Sequence, residues 1–340
     1  MAWVAGDQLQ GDKYTIEKEL GRGRFGITYL VKNKNRDRLV IKTLNDDLLQ
    51  LLSPSGRTQL ENMFYSEALK LKGCNHPHIV QITELFREGE YPCLVMEYLG
   101  EDSLANLRPA ILSEQDALRY IQQMGEALIV VHKNGLVHRD VRPENILLRK
   151  REGNLDAVLI DFGLALDFDH ILTSNRAKQT SIGFTPPELY ASNTIVRGYS
   201  DIYSLAATLY KLLTGKTPVD AVKRKLKDEH LVSPKEYNPQ ISDRTNRAIL
   251  TGMQLDPKQR PQSMREWLDL LGLNQSEITV TSNTKPNWEH NIQIWGIIIA
   301  AIAAIGTLLS GIFGWIPIFK PSPSPNPSSV SPSPPSSQTQ

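Results

Sequence analysis

The chain has 340 residues, 40% hydrophobic and 22% charged, enough to bury the core of one sizeable domain with attachments. Its 38 lysines and arginines balance 37 aspartates and glutamates to a formal charge of +1, which excludes a whole-molecule field that would recruit nucleic acid or an acidic membrane. Cys74 and Cys93 fit neither a metal-ligand spacing nor a disulfide framework, so buried free thiols in a reducing compartment are expected.

Residues 1–13, MAWVAGDQLQGDK, read as an N-terminal extension without a basic stretch leading into an apolar run, so the bulk of the chain is expected to stay in the cytosol. Tyr14, Ile16 and Leu20 open an alternating segment, and ITYLV (27–31), RLVIK (38–42) and CLVMEY (93–98) follow as strands of a small sheet. Between them a helix is expected from about Gln59 to Lys72, stopped at Gly73. From Ser113 the character turns helical. Ser113 and Asp116 make a capping pattern, and Ala117, Ile121, Met124, Leu128 and Val131 mark one face. Further helices are predicted at 200–214, closed by Gly215, at 243–254, and at 263–271, closed by Gly272. Residues 273–290 read as a polar linker and 320–340 as a Pro/Ser-rich disordered tail. Ile292 to Phe319 contains no charged residue and no histidine, longer than the roughly 20 residues needed to cross a bilayer, so a single transmembrane helix is expected over 292–319. Trp295 and Trp315 fall about 30 Å apart on such a helix, one at each interface.

Gly21, Gly23 and Gly26 form G-x-G-x-x-G, a weak motif by itself. A dinucleotide fold would continue into a helix, whereas β-branched ITYLV follows here, so the loop joins two strands and reads as a flap whose backbone N–H groups approach phosphates, with Phe25 at its tip shielding the site. Lys42 ends an apolar strand, where a rigidly held cation can grip phosphates, and Glu67 on the next helix is expected to pair with it. His138, Arg139, Asp140, Val141, Arg142, Pro143, Glu144 and Asn145 fit H-R-D-x-x-x-x-N, and Asp161, Phe162 and Gly163 follow the strand-like AVLI. One carboxylate must orient an attacking hydroxyl and take its proton, a role for Asp140. Separate oxygen ligands must hold a cation against phosphates, roles for Asn145 and Asp161.

On these motifs residues 14–272 resemble the protein kinase superfamily, particularly the eukaryotic-like serine/threonine kinases of bacteria. The resemblance implies an α+β, bilobal fold: a small β-rich lobe with one main helix and a larger, mostly helical lobe, here followed by the single transmembrane helix. It implies ATP with Mg2+ (Mn2+ as an alternative), held by Gly21, Arg22, Gly23, Phe25, Gly26, Thr28, Val40, Lys42, Met96, Glu97 and Leu99, with Asn145 and Asp161 on the metal and Asp140, Lys42, Glu67 and Arg142 as catalytic residues. It also implies that His138, Phe162 and Leu71 stack as a spine and that Arg260 is the buried partner of Glu188. Thr28 and Val40 replace the usual valine and alanine, Arg142 the usual lysine, Ser181 a threonine and Pro186 an alanine. Protein substrates with serine or threonine acceptors follow from the resemblance, with autophosphorylation at Thr173, Ser174 or Thr180, to which Arg139 could pair. The kinase side is expected in the cytoplasm, where ATP is, and the tail on the far side of the membrane. Gly306, Ser310 and Gly314 form a small-residue stripe suited to a homodimer. A catalytically silent pseudokinase serving as a membrane-tethered scaffold is the competing reading; it requires empty catalytic positions, and here all are filled.

Overall fold

A computed structural model describes residues 3–23, 25–151, 153–162, 182–190 and 194–273. Gly163, Thr173, Ser174, Thr180 and Ser181 lie outside them, as do nearly all of the linker, the expected span 292–319 with its tryptophans and small-residue stripe, and the tail 320–340. Among the described residues no helix is long and apolar enough to cross a membrane.

The small lobe is a six-stranded antiparallel sheet in the order β1-β2-β3-β4-β6-β5. Its strands are β1 (Gln8–Leu9), β2 (Tyr14–Arg22), β3 (Gly26–Asn33), β4 (Arg38–Leu44), β5 (Ile82–Glu88) and β6 (Tyr91–Glu97). Alternation sorts the side chains by face. Ile27, Tyr29, Val31, Ile41, Cys93 and Val95 enter an outer cluster, while Val40, Leu44, Leu94 and Met96 join the main core. Both cysteines are free and buried, and desolvation pushes the Cys93 thiol up to about 12.

Residues 3–13, expected as an extension, pack against this sheet. Leu9 pairs with Tyr14 and is buried in the outer cluster. The Trp3 ring lies 5.4 Å from that of Tyr29 and 5.7 Å from that of Tyr91, an aromatic cover for the outer face. Glu84 on β5 fastens the strap, accepting from Gln10 Nε2 at 2.9 Å, Lys13 Nζ at 2.6 Å and Tyr14 Oη at 2.6 Å.

Two helices follow β4. α1 (Asp46–Leu51) is capped by Asn45, and α2 (Pro54–Lys72) starts earlier than expected because Ser53 caps it and Pro54 occupies its first turn. Leu60, Phe64, Ala68 and Leu71 are its buried stripe.

The large lobe is built on α3 (Glu114–Lys133), α4 (Gly198–Thr214), α5 (Ala221–Lys227), α6 (Pro234–Tyr237), α7 (Asp243–Gly252) and α8 (Met264–Leu271). Ser113 Oγ accepts from Asp116 N–H, and the predicted face of α3 is buried throughout. α4 is buried on nearly all sides, the pattern of a helix at the centre of a core. A hairpin of β7 (Ile146–Arg151) and β8 (Asn154–Leu159) projects from this lobe beneath the sheet. Val80 N–H bonds Leu159 O at 3.0 Å and Leu159 N–H bonds His78 O at 2.9 Å, stitching the hairpin to the segment ahead of β5.

Candidate active site

A cavity of about 380 Å³ opens between sheet and hairpin, within the range of small-molecule sites. Gly21, Thr28, Val40, Met96, Glu97 and Leu99 line it as expected, with Asp161 at one end. Leu20, Val80, Tyr98, Leu147 and Ile160 add to the expected set, and Lys18, Glu19, Gly100 and Glu101 complete the lining. Leu20 precedes the first glycine and Leu147 lies two positions past Asn145, so their neighbourhood in sequence was their only signal. Leu20, Val40, Val80, Leu99, Leu147 and Ile160 give the cavity an aliphatic wall, suited to a flat aromatic ring. Met96 to Leu99 carries the chain from small lobe to large.

Arg22, Gly23, Phe25, Gly26 and Lys42 stand outside this lining. Gly23 N–H donates to Gly26 O at 2.9 Å, closing the turn between β2 and β3. A Cβ on Gly26 would meet Thr43 O at 2.8 Å, so only glycine lets β3 start this close to β4. Arg22 is engaged by Glu19 at 2.8 Å and Asp46 at 3.1 Å. Phe25 is half-buried and packs against the main core.

Lys42 lies on the inner face of β4, where alternation puts it between Ile41 and Thr43. Its Nζ reaches Asp161 Oδ1 at 2.8 Å, an ion pair between residues 119 apart in sequence. Lys42 therefore bonds Asp161, and the expected partner Glu67 stands on α2 with other contacts. The reason is reach: one ammonium is taken by the carboxylate that comes to hydrogen-bonding distance. The Lys42 charge holds the Asp161 carboxyl below its ordinary range. Asp161 itself takes φ 56°, unusual for a residue with a Cβ.

The segment 138–145 is fixed from below by α4. Asp201, fully buried, accepts from His138 N–H at 2.9 Å and Arg139 N–H at 2.8 Å, and its other neighbour is His132 Nε2 at 2.8 Å. Burial alone would raise the Asp201 carboxyl, but these bonds and the His132 ring hold it below its usual value. The two amides also explain how Arg139 is kept at φ 69°. His138 Nε2–H donates to Ile160 O at 2.8 Å, so Nδ1 is the acceptor facing Asp140 N–H at 3.3 Å. Complete burial lowers the His138 pKa, which keeps this ring neutral. Its ring centroid lies 4.6 Å from that of Phe162, one of the two contacts of the expected spine, and Leu71 is buried in the same core as Phe162.

Asn145 Nδ2 donates to Asp140 Oδ2 and to Asp140 O, both at 2.8 Å. This commits the amide nitrogen and leaves its oxygen as the atom suited to a cation. Ile160 N–H bonds Asn145 O at 3.0 Å, which brings Asn145 and Asp161 to the same end of the hairpin. Arg142 Nε pairs with Glu144 Oε2 at 3.1 Å in the same turn.

Among the described residues no group of three or more His, Cys, Asp or Glu could cage a metal. The Asn145 carbonyl and Asp161 carboxylate are hard oxygen donors, and two such ligands fit Mg2+, which takes its remaining ligands from water and phosphate oxygens.

Beyond the site, Ile182–Tyr190 forms a platform on the large lobe. Gly183 takes φ 87° against Pro218 O, Phe184 and Thr185 are buried, and Glu188 is bound by Arg260 at 2.7 Å, the pair expected.

The family model described as protein kinase domain matches residues 14–270. The serine/threonine-protein kinase PkaB of Streptomyces coelicolor is 35% identical over 220 residues, 61% of this chain and 50% of that protein. PknJ of Mycobacterium tuberculosis, another serine/threonine-protein kinase, is 31% identical over 268 residues, 75% of this chain and 44% of that one. The chain thus spans half or less of the length of these relatives. The crystal structure of the Mycobacterium tuberculosis PknI kinase domain superimposes with a TM-score of 0.58 at 26% identity, covering 80% of this chain and 99% of that one. With the bilobal fold and the cleft in place, residues 14–270 are a protein kinase domain and the chain belongs to the protein kinase family.

Proposed function

We propose that the chain is an ATP-dependent serine/threonine protein kinase that phosphorylates itself and protein substrates while anchored to a membrane by residues 292–319. The observation that carries the catalytic part is the bond of Lys42 to Asp161 at 2.8 Å, Asp161 lining the cavity and following Ile160, whose N–H bonds Asn145, the residue that in turn holds Asp140 at 2.8 Å.

The adenine ring fits the aliphatic slot between Leu20 and Val40 above and Leu147 below, which places the triphosphate toward Lys42 and Asp161. Lys42 offers a fixed positive charge to the phosphates. Asp140, on a segment pinned by Asp201, orients the acceptor hydroxyl and takes its proton, and the Arg142 cation stands two residues away to face negative charge. Asn145 and Asp161 would hold Mg2+, which when bound neutralises phosphate charge. The chemistry asked of the protein is positioning and charge stabilisation. Serine and threonine as acceptors are favoured by Pro143, Glu144 and Asn145 and by the relatives' names. The anchor rests on the uncharged run Ile292 to Phe319, and autophosphorylation on the hydroxyls at 173, 174 and 180.

The full chain in detergent, given labelled ATP and Mg2+, is expected to label serine and threonine on itself and on a protein acceptor. Asp140→Asn is expected to cut transfer by about 10²- to 10⁴-fold. Label on tyrosine, or equal labelling by the variant, overturns the catalytic reading, and recovery of the expressed chain in the soluble fraction overturns the anchor.

A further inference from the structure

The nucleotide reading leaves the buried polar side chains of Thr43, Asn45 and Asp46 in the small lobe unused, and Asn45 is bonded to the backbone of the glycine loop. Asn45 is 6% exposed and follows β4 three residues after Lys42. Its Nδ2 donates to Gly23 O at 2.7 Å, and its backbone N–H donates to Phe25 O at 2.9 Å. The amide cannot turn over, because Oδ1 is held as the N-cap of α1 by Asp47 N–H at 3.0 Å. Two carbonyls of the glycine loop, one on either side of position 24, are thus tied to the strand end that carries Lys42. The ion pair of Arg22 with Asp46 at 3.1 Å, next to Asn45, makes a second tie.

We infer that Asn45 is a positioning residue for the nucleotide phosphates. It rests on the reading of the cleft as an ATP site. Asn45 touches no reacting atom; it fixes the height and pitch of the glycine loop relative to the Lys42 ammonium, so that loop amides and ammonium meet the triphosphate as one preorganised surface. A glycine-rich turn of this kind has little conformational preference of its own, and a buried side-chain bond to its backbone supplies what the glycines lack.

The cap and the tie are separable by chemistry. Serine in place of asparagine keeps an oxygen for the α1 cap but has no donor that reaches Gly23 O. Aspartate keeps the asparagine shape and the cap while removing the donor altogether. The experiment compares wild type, Asn45→Ser and Asn45→Asp in the full chain, measuring KM for ATP, kcat, and equilibrium affinity for ATP and for adenosine. Loss of one buried hydrogen bond predicts ATP affinity weakened by about three- to tenfold in Asn45→Ser. Adenosine affinity should stay within about twofold, since its ring and ribose sit in the cavity away from the loop tip, and KM for the protein acceptor should not move. Asn45→Asp should weaken ATP at least as much and leave adenosine equally untouched. Unchanged ATP affinity in both variants overturns the inference, and so does an equal loss of ATP and adenosine, which is the mark of general damage to the lobe. Failure of the wild type itself to bind ATP removes the cleft reading and this inference with it, a result distinct from either.

Discussion

Arg260 and Glu188 allow the sharpest test of how the segment Ile182–Tyr190 is held. Their side chains are 0% and 3% exposed. Arg260 Nη1 bonds Glu188 Oε1 at 2.7 Å and Nη2 bonds Oε2 at 2.9 Å, while Nε, Nη1 and Nη2 also donate to the backbone oxygens of Gln254, Tyr199 and Leu255. Those are five bonds for the five N–H groups of a guanidinium. Arg260→Met keeps an apolar stem but leaves Glu188 with Ser200 Oγ, at 2.7 Å, as its remaining described donor. A buried carboxylate so stranded costs about 3–5 kcal/mol, a large part of the ~5–15 kcal/mol that holds a typical domain together. Arg260→Met with Glu188→Gln removes the stranded charge, so the double variant should be at least about 1 kcal/mol more stable than the sum of the single losses implies. Urea denaturation followed by circular dichroism measures all four proteins. A loss below about 1 kcal/mol in Arg260→Met, or strict additivity in the double variant, would refute the argument that the orphaned carboxylate dominates the cost.

Gly183→Ala should separate nucleotide from substrate: its Cβ would lie 2.5 Å from Pro218 O at φ 87°. Backbone cannot yield there, so the platform shifts; phosphoryl transfer to a protein acceptor should fall at least about tenfold while ATP affinity holds. The strap should carry a pH signature. Partial burial alone would raise the Glu84 carboxyl, yet the donors Lys13, Tyr14 and Gln10 lower it from 4.5 to about 2. A depressed folded pKa contributes stability that is present above 4.5 and disappears as pH falls toward about 2. That shift corresponds to ~3 kcal/mol at most, and with Lys13 47% exposed solvent screening brings the expectation to about 1 kcal/mol. Urea midpoints at pH 7 and pH 3 should therefore differ less in Glu84→Gln than in wild type, and an identical pH dependence would count against the cluster.

The parts of this molecule that could be foreseen are those whose signal is local. Helix stops at Gly73, Gly215 and Gly272 and the cap at Ser113 fall where expected because capping is chemistry within one turn. H-R-D-x-x-x-x-N orders three functional groups within eight positions, and the structure keeps that order around Asp140. The strap has no local signal, for a different reason. β1 has two residues and no period to detect, and what secures residues 3–13 is contact with Tyr29, Glu84 and Tyr91, far along the chain. α1 did leave a trace: Asn45 followed by Asp46 and Asp47 is a cap with an acidic first turn, and Ser53-Pro54 marks the true start of α2. The exchange of Glu67 for Asp161 as partner of Lys42 had no such trace, since choosing between two carboxylates is decided by tertiary reach alone.

The groups of the site differ in how firmly they are held, and the difference follows the lobes. Asp140 and Asn145 stand on a segment bonded to buried Asp201, to each other and, through Asn145 O and the His138 ring, to both backbone groups of Ile160. Every one of those bonds stays within the large lobe, so Asp140 and Asn145 form a unit whose geometry does not depend on the cleft. Lys42 belongs to the sheet and reaches the large lobe through its bond to Asp161, a carboxylate 46% exposed that follows Ile160. Opening the cleft would break that contact and leave the other bonds intact. The lysine is therefore the member of the site whose place depends on lobe closure, and it is also the member to whose strand the glycine loop is tied by Asn45. On the proposed reading, closing the cleft would carry the ammonium and the loop tied to its strand toward the phosphates together, while Asp140 and Asn145 stay bonded within the large lobe.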